Sequence, residues 1–376
     1  MKKIILIYEG LSELGGLEKL MVNNYNWLKN KFNVSLGFAH INKELKNKTF
    51  KKLKIKKISK FPIHNESLEI MWFCINPLIK RLKVDLAISY SFLASYYCYR
   101  KKIPYIIYMN HPPNFLYFKS KKDEIEWVNH TKRFLAWFGG KLIGNWLRNL
   151  DKKCVNKAKL LFVNSEYTKK RIKKIYNKNS IIIYPPMNDS FKLLKIKKKD
   201  FIYSHGRIIP DKKFEYIIEA MKHIPDKKLI ISGGIEKNYE RKLKKLIKKL
   251  NLEKRIKILG RVSEEQLIRL YNEAKVFVLT APLEDFGIVP IESMSCGTPV
   301  IAWNDGAGPT ESIIENISGF LAKPYDTHDL AEKIKKAMNK KWDTKKIIKS
   351  TEKFSEKTQS KKFLKEIEEL IKNHNL

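Results

Sequence analysis

Cysteine is scarce in this chain, and what there is lies scattered. Cys74, Cys98, Cys154 and Cys296 form no CxxC pair and no Cys/His cluster at zinc spacing, which excludes a disulfide-stapled scaffold and a structural zinc module and fits a reducing cytosol. Long apolar runs are missing as well. Uncharged stretches such as Leu86 to Tyr99 fall short of the ~20 residues that a spanning helix needs. Met1 to Tyr8 carries two lysines and then a short apolar run, too little for a signal-peptide core and suited to a first buried strand. Acidic residues are few: 39 Asp and Glu face 76 Lys and Arg, a net charge of +37. Such an excess favours anionic partners, whether phosphates, nucleic acid or an acidic membrane surface. Several familiar motifs are also lacking. There is no GxGxxG, no HExxH and no Asp-x-Asp pair, and the eight histidines show no metal spacing. Neither a resident cofactor nor a metal is expected.

The composition that remains is that of a folded protein. The 376 residues are 43% apolar and 11% aromatic, enough for two cores rather than one. Short apolar runs alternate with helical patterns: Ile4 to Tyr8, Val34 to His40, Leu86 to Tyr90, Tyr105 to Met109 and Leu160 to Asn164. The rhythm restarts after the lysine-rich stretch Lys192 to Lys199, with Phe201 to Ser204, Leu229 to Ser232, Ile256 to Leu259, Val276 to Thr280 and Val300 to Ala302. Runs of this kind predict parallel strands buried on both faces. They imply two Rossmann-like, doubly wound α/β domains: residues 1–185, a linker at 186–199, and residues 200–376. Phe214, Ile217, Ile218 and Met221 make a buried helical stripe, as do Phe363, Ile367 and Leu370 in the last helix. That last helix is expected to pack back toward the first domain. Two such halves face one another across a cleft at the carboxyl ends of their strands, so functional motifs should come directly after strands.

After the first strand, Gly15 and Gly16 precede a helix. Their backbone N–H groups could approach an anion at the helix N-terminus, or they could simply make a tight turn; the spacing from Gly10 is that of a Walker loop, but Gly16 and Leu17 stand in the Lys and Ser/Thr places. At the start of the second domain, Gly206-Arg207-Ile208-Ile209-Pro210-Asp211-Lys212 releases two cations at a strand end. They could grip a diphosphate, Arg207 by its planar fork and Lys212 as a point charge, or form a solvated surface pair. The most informative stretch runs from Thr280 to Ala302, with Glu284 in a loop, Phe286-Gly287 at a helix start and Glu292 on that helix. The N–H groups around Phe286 and Gly287 suit a phosphate. Glu292 can accept two hydrogen bonds from a vicinal diol such as ribose, and Glu284 suits the hydroxyls of a sugar lying between it and the phosphate; alternatively these acids simply complement the dipole of the helix. Asn304 to Glu311 is a further glycine-rich turn, uninformative alone. His111, in Met109-Asn-His111-Pro112-Pro113, comes after a strand of the first domain and is either structural or catalytic. Residues 124–157 read as a long helical stretch in which Trp127, Phe134, Trp137, Phe138 and Trp146 are interleaved with Lys132, Arg133, Lys141 and Arg148. This is either a core stripe with solvated cations or a surface for a membrane or lipid.

Taken together these residues resemble retaining glycosyltransferases of family 4, of GT-B architecture. Glu284 and Glu292 with Phe286-Gly287 between them are similar to that family's E-x7-E element, and Gly206 to Lys212 to its G-R-x-x-P-x-K loop. Pro299-Val-Ile-Ala with Gly306 to Glu311 is similar to the strand and turn that the family carries after its E-x7-E element. Asn164-Ser165 and Tyr184-Pro-Pro186 resemble the last strands of its first domain, and His111-Pro-Pro an element of mannosyltransferase branches. The resemblance implies transfer of a hexose, mannose first, from a nucleoside-diphosphate sugar to a glycan or lipid-linked acceptor with retention of configuration. It implies that Arg207 and Lys212 bind the diphosphate, Glu292 the ribose and Glu284 the transferred sugar. Gly15 and Gly16 would stand near the phosphates and His111 near the sugar. Asp285 and Pro282 depart from the family's commoner residues, which bears on donor specificity. A cytoplasmic location, extending to peripheral contact with an anionic membrane face, is the expectation. The competing readings are a sugar-nucleotide epimerase of the same architecture, a glycoside hydrolase and a nucleic-acid-binding protein; for the last no recognition motif is evident.

Overall fold

The computed structural model describes residues 1–11, 15–42, 44, 50–59, 76, 79, 81–118 and 143–374. The chain divides into one unit made of Met1–Tyr184 with Ser360–Leu376, and a second made of Pro185–Gln359. Each is built on its own parallel sheet.

The first unit contains β1 (Lys3–Leu11), β2 (Asn33–Ile41), β3 (Ile55–Lys57), β4 (Leu86–Ser89), β5 (Tyr105–Met109), β6 (Leu161–Val163) and β7 (Ile181–Ile182). They are ordered β3-β2-β1-β4-β5-β6-β7, and every neighbouring pair is parallel. The helices between them are α1 (Gly16–Leu28), α2 (Phe92–Arg100), α3 (Gly144–Lys157) and α4 (Glu166–Tyr176). Two starts are set by serine caps: Ser91 accepts from Ala94 N at 3.1 Å and Ser165 from Thr168 N at 3.0 Å, satisfying N–H groups the helix leaves unpaired.

The second unit contains β8 (Lys199–His205), β9 (Lys228–Ser232), β10 (Ile256–Ile258), β11 (Ala274–Val278), β12 (Val300–Trp303) and β13 (Gly319–Ala322). Their order is β10-β9-β8-β11-β12-β13, again all parallel. Its helices are α5 (Phe214–Ala220), α6 (Lys237–Lys249), α7 (Glu264–Glu273), α8 (Ile288–Ser295), α9 (Gly308–Ser312), α10 (Thr327–Asn339) and α11 (Thr344–Lys349). The α5 stripe of Phe214, Ile217, Ile218 and Met221 is buried in this unit's core. The final helix, α12 (Glu356–His374), crosses the division between the units. Its Phe363, Ile367 and Leu370 are part of the first unit's core, where Phe363 meets Trp27 edge-on at 5.4 Å and Phe162 at 5.4 Å.

The ten runs read as strands are all strands, and β3, β7 and β13 are additional. Residues 186–199, expected as a linker, lie in the second unit and are fastened to it. Met187 N donates to Phe354 O at 2.9 Å, Leu194 N to Asn272 Oδ1 at 2.8 Å, and the Phe191 ring meets Tyr271 at 5.9 Å. Phe191, buried, and Leu194, half-buried, give that lysine-rich stretch apolar anchors that its composition conceals. Of the aromatic stretch 124–157, Trp127, Phe134, Trp137 and Phe138 with Lys132, Arg133 and Lys141 lie outside the described residues, whereas Trp146 stands on α3 and is 60% exposed. No described helix is long and apolar enough to cross a membrane.

Candidate active site

In the second sheet β8, β11 and β12 are adjacent, so the loops that leave their carboxyl ends are neighbours. These loops are 206–213, 279–287 and 304–307, and all the second-unit site residues read from the sequence lie in or just beyond them.

The first loop is pinned by its neighbour after β9. Gly206 N donates to Ser232 O at 3.1 Å, Ile208 N to Gly234 O at 2.7 Å and Glu236 N to Ile208 O at 3.1 Å. A Cβ on Gly233 would fall 1.7 Å from Gly206 O, so only glycine allows the two backbones to approach this closely. Arg207 therefore leaves a fixed backbone. It is exposed and makes no ion pair among the described residues, a cation available to an anionic ligand. Lys212 closes a short 3-10 turn at Pro210–Lys212; its carbonyl accepts from Thr280 Oγ1 at 3.2 Å, which ties it to the end of β11.

Lys212 Nζ lies 2.5 Å from Glu284 Oε2, both side chains about a quarter exposed at 24% and 25%. The pair expected to serve diphosphate and sugar is thus brought together. The Glu284 loop is held in turn by the third loop. Asp305 accepts from Leu283 N at 2.7 Å and from Ala307 N at 3.0 Å, and Gly308 N donates to Glu284 O at 2.8 Å. Leu283 sits in the left-handed region at φ 47°, a conformation costly for a side chain of that type and retained where surrounding bonds dictate it. The turn from Asn304 to Glu311, uninformative in the sequence, is the clamp on the glutamate loop.

Helix α8 starts at Gly287, whose φ of 79° and ψ of 74° again favour glycine. Its N–H makes no hydrogen bond among the described residues, and the first N–H groups of α8 are open by the geometry of a helix start, an arrangement that attracts anions. Phe286 contributes backbone only: its ring is buried and meets Phe354 at 5.6 Å. Glu292, one helical turn further along α8, accepts from the Tyr271 hydroxyl at 3.1 Å. Sequence reading missed Tyr271, which has no motif of its own. Burial first, and then the charge of Glu292, push its phenol well above the ordinary range, so it remains a neutral donor.

Gly15, Gly16 and His111 lie in the first unit. Gly15 N donates to Glu18 Oε2 at 2.9 Å, so the N–H expected to meet a phosphate is taken by a buried carboxylate of its own helix. Among the described residues nothing lies within 4 Å of where a Cβ on Gly16 would stand. Glu9, at the same end of β1, is a further acid: Ser91 Oγ donates to its Oε2, and burial pushes its carboxyl up to about 7. The surroundings of Gly15 are acidic, which favours hydroxyl donors over phosphate there. His111 is exposed just beyond the end of β5, with Nδ1 2.9 Å from Pro112 O; a carbonyl only accepts, so Nδ1 is the donor in that contact. Among the described residues no group of three or more His, Cys, Asp and Glu comes together as a metal-ligand set.

The strand-end loops of the second sheet thus present cations, a carboxylate and an open helix start, an arrangement suited to an anionic ligand. Residues 187–361 match the family Glycosyl transferases group 1. The GDP-Man:Man(3)GlcNAc(2)-PP-Dol alpha-1,2-mannosyltransferase of Dictyostelium discoideum is 32% identical over 244 residues, 57% of this chain and 48% of that protein. The alpha-1,3/1,6-mannosyltransferase ALG2 of Mus musculus is 30% identical over 212 residues, 49% of this chain and 51% of its own length. The chain spans about half the length of the curated relatives it matches. Over 98% of its residues it shares the fold of Anabaena Alr3699/HepE, solved in complex with UDP-glucose, with a TM-score of 0.71 at 17% identity and all of that chain covered.

Proposed function

We propose that this chain is a retaining hexosyltransferase that moves mannose from GDP-mannose to a hydroxyl of a lipid-linked glycan. The observation that carries the reading is the Lys212–Glu284 pair beside the open start of α8, with Glu292 on that helix. Kinship with proteins named as mannosyltransferases, one of them for GDP-mannose and a dolichol-linked glycan, supports the sugar, the nucleotide and the acceptor class. In this reading the diphosphate takes the charge of Arg207 and Lys212 and the Gly287 N–H. Lys212 is thereby drawn from Glu284, whose carboxylate turns to the hydroxyls of the sugar, while Glu292 takes the ribose. As the sugar–phosphate bond breaks, negative charge grows on the leaving phosphate. The two cations stabilise it, and the same phosphate oxygen accepts the proton of the incoming hydroxyl on the face the phosphate leaves, which retains configuration. Because side chains supply this charge, the reaction is proposed to need no metal. The enzyme acts at the cytoplasmic face of a membrane, where such an acceptor would be met.

The test is product analysis with GDP-mannose and a lipid-linked oligosaccharide, in excess EDTA. A mannosylated lipid should form, and Arg207→Ala or Lys212→Ala should lower turnover on the order of a hundredfold. Glu284→Gln should damage turnover more than nucleotide affinity. Conversion of the nucleotide sugar without any acceptor would identify an epimerase instead. Loss of activity in EDTA, restored by Mg²⁺ or Mn²⁺, would overturn the metal-independent reading.

A further inference from the structure

Tyr271 is a polar group that the reaction outlined above does not use, and its surroundings are unusually determined. The side chain is fully buried. Its ring meets Tyr203 and Phe277 edge-on, each at 5.4 Å, as well as Phe191 at 5.9 Å. Its backbone carbonyl accepts from Thr298 Oγ1 at 2.5 Å. With ring and backbone both held, the phenol cannot turn away, and its hydroxyl is committed to Glu292 Oε2 at 3.1 Å. A glutamate on a helix surface samples several rotamers, and a ligand that needs one of them must bear the cost of ordering it. A buried donor aimed at one carboxylate oxygen bears that cost in advance.

We infer that Tyr271 is the positioning residue of Glu292: it holds the carboxylate in the orientation in which Glu292 receives the two hydroxyls of a ribose. Recognition of a ribonucleotide is then anchored in the aromatic core of the second unit as well as in its loops. This rests on the reading of Glu292 as the ribose acceptor. Tyr203 provides an internal control, because its hydroxyl faces Ser232 Oγ at 2.5 Å and belongs to the same aromatic cluster.

The experiment is calorimetric binding of GDP and of 2′,3′-dideoxy-GDP to the full chain and to three variants, with thermal midpoints recorded for each. The wild type should prefer GDP by roughly 10- to 100-fold, the range of one or two hydrogen bonds to a charged group. Glu292→Gln should abolish most of that preference. Tyr271→Phe should reduce it by about three- to tenfold, raise the KM for GDP-mannose and leave kcat within about twofold, whereas Tyr203→Phe should leave the preference unchanged. Full preference in Tyr271→Phe beside its loss in Glu292→Gln would overturn the inference while sparing the ribose reading. Equal weakening of both nucleotides in Tyr271→Phe, with a lowered midpoint, would show a merely structural role and also overturn it. Undiminished preference in Glu292→Gln, or no binding of GDP by the wild type, would remove the ribose reading and the inference with it.

Discussion

Glu9 stands at the end of a strand whose other residues are mostly apolar, and its acidity is set by that placement. Burial disfavours the charged form, the neighbouring charge of Glu18 works in the same direction, and the hydrogen bond from Ser91 only partly opposes them, leaving the carboxyl at about 7 instead of 4.5. The folded state therefore holds a proton that the unfolded chain would release. Stability from this group is fully present below pH 4.5 and is lost as the pH rises through about 7, a difference of at most about 3 kcal/mol. Glu9→Gln stays neutral and can still accept from Ser91. It is expected to match the wild type in thermal midpoint near pH 4.5 and to exceed it at pH 8; an equal difference at both values would show that Glu9 is ionised in the fold. In the other unit, Lys212 and Glu284 partly neutralise each other while no anion is bound, which leaves a strong cation ready to exchange one negative partner for another.

At the level of elements, the geometry of the candidate site in the second unit depends on how loops are braced. Gly308 opens α9 with its Cα against the Glu284 loop: a Cβ there would stand 2.4 Å from Phe286 Cα and 2.5 Å from Phe286 O. Because both of those atoms are backbone, the overlap cannot be relieved by turning a side chain. Gly308→Ala should therefore displace the loop that carries Glu284 and the start of α8, lowering turnover by roughly tenfold to a hundredfold, the scale of an ångström's misplacement. Comparison of kcat with the thermal midpoint checks this. Unaltered turnover in a folded variant would mean that the loop tolerates the shift. Sequence made both glutamates and both cations legible because each lies just beyond a strand end, but it showed nothing of the brace, since Asp305 and Gly308 look like any other turn residues.

For the whole molecule the governing quantity is charge. At +37 the chain is expected to be drawn to anionic surfaces, since Lys or Arg near such a surface contributes about 1 kcal/mol each. Trp146 on α3 is 60% exposed and Ile143, just before the helix, 50%; with Arg148 two positions further on, the helix offers apolar and basic side chains of the kind suited to a membrane interface. Binding to anionic vesicles should be strong at low salt and largely released at 1 M, as the screening length falls from ~10 Å at 0.1 M to ~3 Å. Trp146→Ser should weaken what survives. Sedimentation with anionic and neutral vesicles decides the matter, and negligible, equal binding to both at low salt would favour a soluble acceptor.

The β/α rhythm, the two sheets and the residues worth testing were determined by the sequence itself, because a parallel strand buried on both faces must be a continuous apolar run and a strand end must release its polar residues into a loop. The short strands were not legible: Ile55–Lys57 and Ile181–Ile182 are too brief, and the first too rich in lysine, to show any period. Only the tertiary structure decided which residues meet. Lys212 finds Glu284 across 72 positions of chain, and Tyr271 finds Glu292 across 21. Both encounters arise from the order β8-β11-β12, which depends on how distant strands pair and is therefore not encoded in any local pattern of residues.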